Sequence, residues 1–154
     1  MRHRVFGKKL GRNTHSRKHL LENLASSLLV QGKITTTQTK AKWLRPYVEK
    51  MIRKSVKNRL ISKRDLATDL TSEAFKKLVF EIGPGFSTKT GGYAKIIKLN
   101  PRGGDNAPMA KIELLAWDKS KAVTLTKTPK PKRVARKKTV AKEPSPEKVV
   151  KAAS

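Results

Sequence analysis

Residues 16–37 read SRKHLLENLASSLLVQGKITTT. Leu20, Leu21, Leu24, Ala25, Leu28 and Leu29 recur at helical spacing, which predicts a helix over 16–31 with a single apolar stripe. Gly32, able to adopt a left-handed conformation, is its natural stop. Residues 33–37, Lys-Ile-Thr-Thr-Thr, are short and β-branched and favour a strand. A helix that buries one side and passes at once into a strand calls for a sheet it can cover.

The following residues extend the pattern. Thr37 can cap a second helix whose Ala41, Leu44, Val48, Met51 and Ile52 face inward, with Pro46 expected either to kink it or to leave it regular only from Arg45. Its outward positions, Lys40, Lys42, Arg45, Lys50, Arg53, Lys54 and Lys57, form a dense basic face. Ser62 and Asp65 have the spacing of a capping box opening a short helix through Leu70. Thr71 caps another, with Phe75, Leu78, Val79 and Ile82 as its stripe and Gly83-Pro84 as its stop. Residues 93–99 and 109–117 read as strands joined by a Gly-, Pro- and Asn-rich turn over 100–108. In the second strand Ala110, Ile112, Leu114 and Ala116 alternate with Lys111 and Glu113. The predicted fold is α/β (α+β), in the order α-β-α-α-α-β-β, with helices covering one face of a small sheet.

Charge divides the 154 residues into three parts. The chain carries 37 Lys+Arg against 11 Asp+Glu, a formal net charge of +26. Residues 1–19 hold 7 Lys/Arg and no acid, residues 20–118 hold 18 against 9, and residues 119–154 hold 12 against 2. The first part is expected to be a non-regular basic arm running into helix 1, and the second the folded domain. The third has no Gly or aromatic residue, and its Lys-, Pro- and Ala-rich composition predicts a disordered tail, with 122–125 available to prolong a strand. An imbalance of this size indicates a polyanionic partner.

Chemistry-bearing constellations are sparse. With no Cys, thiol nucleophiles and cysteine zinc sites are excluded. His15 and His19 share a helical face, but no further suitably spaced ligand completes a metal site. The glycine pairs match neither a phosphate loop nor a dinucleotide fingerprint, and Asp105 reads as a turn-capping residue rather than a catalytic acid. No apolar run approaches the ~18–20 residues of a membrane span. The expectation is a protein that is not an enzyme and needs no cofactor, metal, membrane or small-molecule substrate. Lys and Arg would neutralise phosphates, while Phe6, Trp43, Phe86 and Tyr93 are candidates to stack on unpaired bases or to pack in the core. No DNA-recognition helix signature is present, which favours backbone and shape reading of a folded RNA. A nucleoid-type DNA-condensing protein acting through the basic tail is the alternative.

A family resemblance sharpens this. Met1-Arg2-His3, Leu10-Gly11-Arg12-Asn13, His15-Ser16-Arg17, Asn23-Leu24-Ala25-Ser26-Ser27-Leu28, Ile34-Thr35-Thr36-Thr37 and Lys40-Ala41-Lys42 resemble the bacterial large-subunit ribosomal protein seventeen family. Gly91-Gly92-Tyr93 and the run from Arg102 through Ala110 into Ile112-Glu113-Leu114 do so as well, in the same order. The resemblance implies helices packed on a small mixed three-stranded sheet. It also implies a cytoplasmic, ribosome-bound structural constituent of the large subunit that supports translation, contacting ribosomal RNA near the peptide exit tunnel among neighbouring ribosomal proteins. Carried onto this chain, the RNA-contacting residues are Arg2, His3, Arg4, Lys8, Lys9, Arg12, His15, Arg17 and Lys18, then Lys40, Lys42, Arg45 and Arg102. The basic face adds Arg53 and Lys54, and the stacking argument adds Tyr93. Trp43 departs from the family, which usually carries an acid there, and the tail after Asp118 has no family pattern to transfer.

Overall fold

The structure, a computed structural model, describes residues 8–123. Expectations for Arg2, His3, Arg4, Phe6 and residues 124–154 lie outside the described residues. The elements are α1 (Thr14–Gln31), β1 (Lys33–Thr37), α2 (Gln38–Val56), α3 (Leu60–Asp69), α4 (Ser72–Lys77), β2 (Ala94–Lys98) and β3 (Met109–Leu114). From α4 the chain runs on through a π-turn (Leu78–Ile82) and a further helical turn (Gly83–Gly85), and a 3-10 turn (Lys119–Lys121) follows β3. The class is α+β, in the order expected.

The sheet has the order β1-β3-β2 with both pairings antiparallel. It is therefore not the mixed sheet that the resemblance implied. The turn after Lys98 folds β3 back beside β2 as a hairpin, and β1 takes the other edge of β3 in the opposite direction. Ile34, Ile112 and Ile96 stand in one cross-strand row. With Ala94, Ala110 and Leu114 they face the helical layer, where α2 contributes Ala41, Leu44, Val48, Met51 and Ile52 and α1 contributes Ala25, Leu28 and Leu29. Each fully buried Leu or Ile here contributes about 1.5–3 kcal/mol. The opposite face is largely charged, with Ile97 exposed on it across from Lys111: Lys33, Glu113 and Lys95 are in register, and Glu113 pairs with Lys95 at 2.7 Å and Lys111 at 3.2 Å.

Local signals explain the boundaries that agree. Gly32 closes α1 at φ 79°, its N–H donating to the Leu28 carbonyl at 2.7 Å. The Asn13 side chain accepts from the Ser16 N–H at 2.8 Å and starts α1 two residues before the expected Ser16.

Other boundaries move. The second helix continues through Pro46, which lies on its exposed face beside Lys42, so water can take the carbonyl that proline leaves unbonded. The third helix opens at Leu60, with Lys63 N–H donating to the Arg59 carbonyl; Ser62 lies inside it, and Asp65 pairs with Lys54 at 2.9 Å instead of capping. Gly83-Pro84 does not stop the fourth helix. The Gly83 N–H and the Ser55 hydroxyl both donate to the Leu78 carbonyl, which holds the π-turn, and a Cβ on Gly83 would collide with Ser55 Oγ. The third strand ends at Leu114, leaving Ala116 exposed while Leu115 and Trp117 pack against the core. Beyond the expected boundary at Asp118, residues 119–123 are structured: the Val123 N–H donates to the Phe80 carbonyl at 2.8 Å, which is no prolongation of the sheet.

Candidate nucleic-acid interface

The basic arm enters α1 through a tight left-handed turn. Leu10 and Gly11 have φ of 54° and 64°, and the Arg12 N–H closes the turn on the Lys9 carbonyl at 3.1 Å. Lys8, Lys9 and Arg12 are exposed along it. The helix it feeds has no acid in its first turn, where His15 and Arg17 stand instead, with Lys18 just behind. Cations there oppose the helix macrodipole and the unbonded N–H groups, and an anion relieves both. This end of α1 therefore suits phosphate better than it suits the isolated protein.

Along α2 and its C-cap residue Lys57, Lys42, Pro46, Lys50, Arg53 and Lys57 follow one another at i+3 or i+4 spacing, and all five are exposed. Among the described residues none of those four cations has a carboxylate at salt-bridge distance, so their charge is available to a polyanion. Lys40 begins the same helix and is half-buried.

Other expected contacts are already engaged. Lys18 bridges Glu22 at 3.3 Å and Asp69 at 3.2 Å, which ties α1 to α3 and, through Asp69 first and then Glu22, raises its pKa. Arg45 pairs with Glu49 at 3.1 Å and Lys54 with Asp65. His15 is exposed, whereas His19 turns Nδ1 to Glu22 at 2.8 Å. Sequence spacing shows the i, i+3 and i, i+4 partners; it does not show Asp69 or Asp65, which other elements supply.

Tyr93 does not present a stacking surface. It is 1% exposed, its ring packs 5.1 Å from Phe86, and its hydroxyl donates to the Lys89 carbonyl at 2.9 Å. Phe86 is likewise buried. Both lie in the core because the turn through Gly85 brings them against Trp117 and the end of the sheet, so the packing reading holds for both.

Arg102 staples the β2–β3 turn. Its Nε and Nη2 donate to the two Asp105 oxygens at 3.1 and 2.5 Å, and the Ala107 N–H donates to Asp105 Oδ1 at 3.3 Å. Asp105 thus caps the turn, and the Arg102 guanidinium holds its carboxyl down at about 2. Since that lies below the ~3.9 of an unfolded-chain Asp, the pairing stabilises the fold above ~3.9 and is lost as pH falls through the folded value. We expect the Asp105 carboxyl carbon shift to titrate near pH 2, and R102A to move the midpoint towards that of a free Asp. A wild-type midpoint near the free value would mean that the pair is open in solution.

Comparison with known proteins decides the affiliation. A family model described as ribosomal protein L17 matches residues 20–115. The chain belongs to the ribosomal protein L17 family. The large ribosomal subunit protein bL17 of Gemmatimonas aurantiaca is 47% identical over 116 residues, covering 75% of this chain and 98% of that protein. The bL17 of Nitratidesulfovibrio vulgaris is 50% identical over 117 residues, covering 74% and 87%, and that of Koribacter versatilis is 48% identical over 120 residues, covering 77% and 74%. As an L17-family protein the chain is a structural constituent of the large ribosomal subunit, bound to the ribosome in the cytoplasm, and not an enzyme.

Proposed function

We propose that the chain binds and stabilises large-subunit ribosomal RNA, close to the peptide exit tunnel and beside other ribosomal proteins. The contact track starts on Lys8, Lys9 and Arg12, crosses the start of α1 at His15 and Arg17, and continues along Lys42, Lys50 and Arg53 of α2. The observation that carries this is the acid-free, cation-bearing N-terminus of α1, a local arrangement that costs stability until phosphate meets it. The exit-tunnel location rests on the family resemblance. Arg2, His3 and Arg4 extend the same track in sequence, and the outer N–H groups of Arg102 add a contact on the sheet side. Lys18, Arg45 and Lys54 serve it through their long-range field rather than by direct contact.

The test is sucrose-gradient sedimentation of the full chain with salt-washed large subunits, followed by ultraviolet cross-linking to map the RNA. Co-sedimentation with cross-links from the arm and from α2 is expected, whereas a chain that stays at the top of the gradient refutes the proposal. Deleting residues 124–154 keeps Val123 on Phe80 and separates the two polyanion readings. A ribosomal protein keeps its incorporation; a tail-driven DNA condenser loses most of its affinity.

A further inference from the structure

A cavity of about 570 Å³ lies between α1 and α2, lined by Leu21, Trp43, Pro46, Tyr47 and the lysines Lys8, Lys42 and Lys50. Leu21 and Tyr47 also pack against the core and form its inner side. Trp43, Pro46 and Tyr47 recur at i, i+3 and i+4 on α2, so three flat or rigid side chains line one wall. The lysines come from two parts of the chain, Lys8 from the arm and Lys42 and Lys50 from the helix. None of the three has a carboxylate at salt-bridge distance among the described residues.

We propose that this cavity takes one unpaired nucleobase of an RNA strand, stacked on the Trp43 side, with the flanking phosphates set against Lys8, Lys42 and Lys50. The inference deepens the RNA-binding reading and rests on it. Three arguments favour this occupant. The volume lies in the range of small-ligand sites. Aromatic walls interleaved with cations are how proteins hold single-stranded nucleic acid, because every base has a π-face and every nucleotide a charge. The cavity is also continuous with the basic track, since Lys8 belongs to the arm and Lys42 and Lys50 to the exposed stripe.

Two strands of equal length test it with the full chain: a single-stranded oligoadenylate, and an abasic strand with the same phosphodiester backbone. Expected for the wild type are quenching of tryptophan emission by the oligoadenylate and an affinity roughly 5- to 150-fold above that for the abasic strand. W43L, with its melting temperature checked against the wild type, should lose both the quenching and the preference while binding the abasic strand as before. Equal wild-type affinity for the two strands overturns the proposal and leaves backbone binding standing. Failure to bind either strand also overturns the proposal, while the RNA-binding reading stands or falls on the sedimentation with large subunits. A Glu- and Tyr-rich peptide that quenches Trp43 as well as the oligoadenylate overturns the proposal in favour of a protein partner.

Discussion

Replacing Lys8, Lys9, Arg12 and Arg17 together by alanine is expected to flatten the salt dependence of RNA binding by about 3 in the slope of log affinity against log salt. Each phosphate contact contributes about 0.7–0.9 to that slope. Between 50 and 200 mM salt the wild type should therefore lose roughly 60-fold more affinity than the variant. Stability should move the other way. Removing Arg17 from the positive end of α1 relieves an unfavourable dipole interaction of about 0.3–1 kcal/mol, so the free protein should melt no lower than the wild type. Weaker binding with undiminished melting temperature separates a lost contact from a lost fold. An unchanged slope would mean that these four residues do not meet phosphate.

The second large effect is in the core. Phe86 is fully buried, with its ring 5.1 Å from Tyr93 and 6.0 Å from Trp117, both tilted. F86A removes the ring at the point where the turn after α4 meets the sheet, and is expected to cost about 3–5 kcal/mol. That is a large share of the 5–15 kcal/mol of a typical domain. Urea unfolding checks it: the midpoint should fall steeply with little change in slope, and F86L should recover part of the loss. A cost below about 1 kcal/mol would mean that the three aromatic rings do not pack in solution.

What could be read in the sequence followed the range of the interaction responsible. Gly32 and the β-branched run 33–37 set their elements through neighbouring residues alone, and β1 lies where they indicate. The start of α3 and the passage through Gly83-Pro84 depend on partners far along the chain. Asp65 is drawn to Lys54, and Ser55 supplies the hydroxyl that stabilises the π-turn. A capping box and a Gly-Pro pair are local signals, and tertiary partners outweigh them here. The site divides in the same way. Exposed cations of the arm and of α2 show in their spacing, but whether Tyr93 packs or stacks is decided by Phe86 and by the carbonyl of Lys89, which spacing does not reveal.

The strand order also sets a timetable for the newly made chain. The first strand can pair only with β3, so residues 33–37 must wait until residues 109–114 have been polymerised. At about 5–20 residues per second this takes roughly 4–15 s. Throughout that interval Lys8, Lys9 and Arg12 already exist while the platform that orients them does not. A polyanion met early would act on a half-made domain, and the order of closure and docking becomes a property of synthesis as much as of the finished fold.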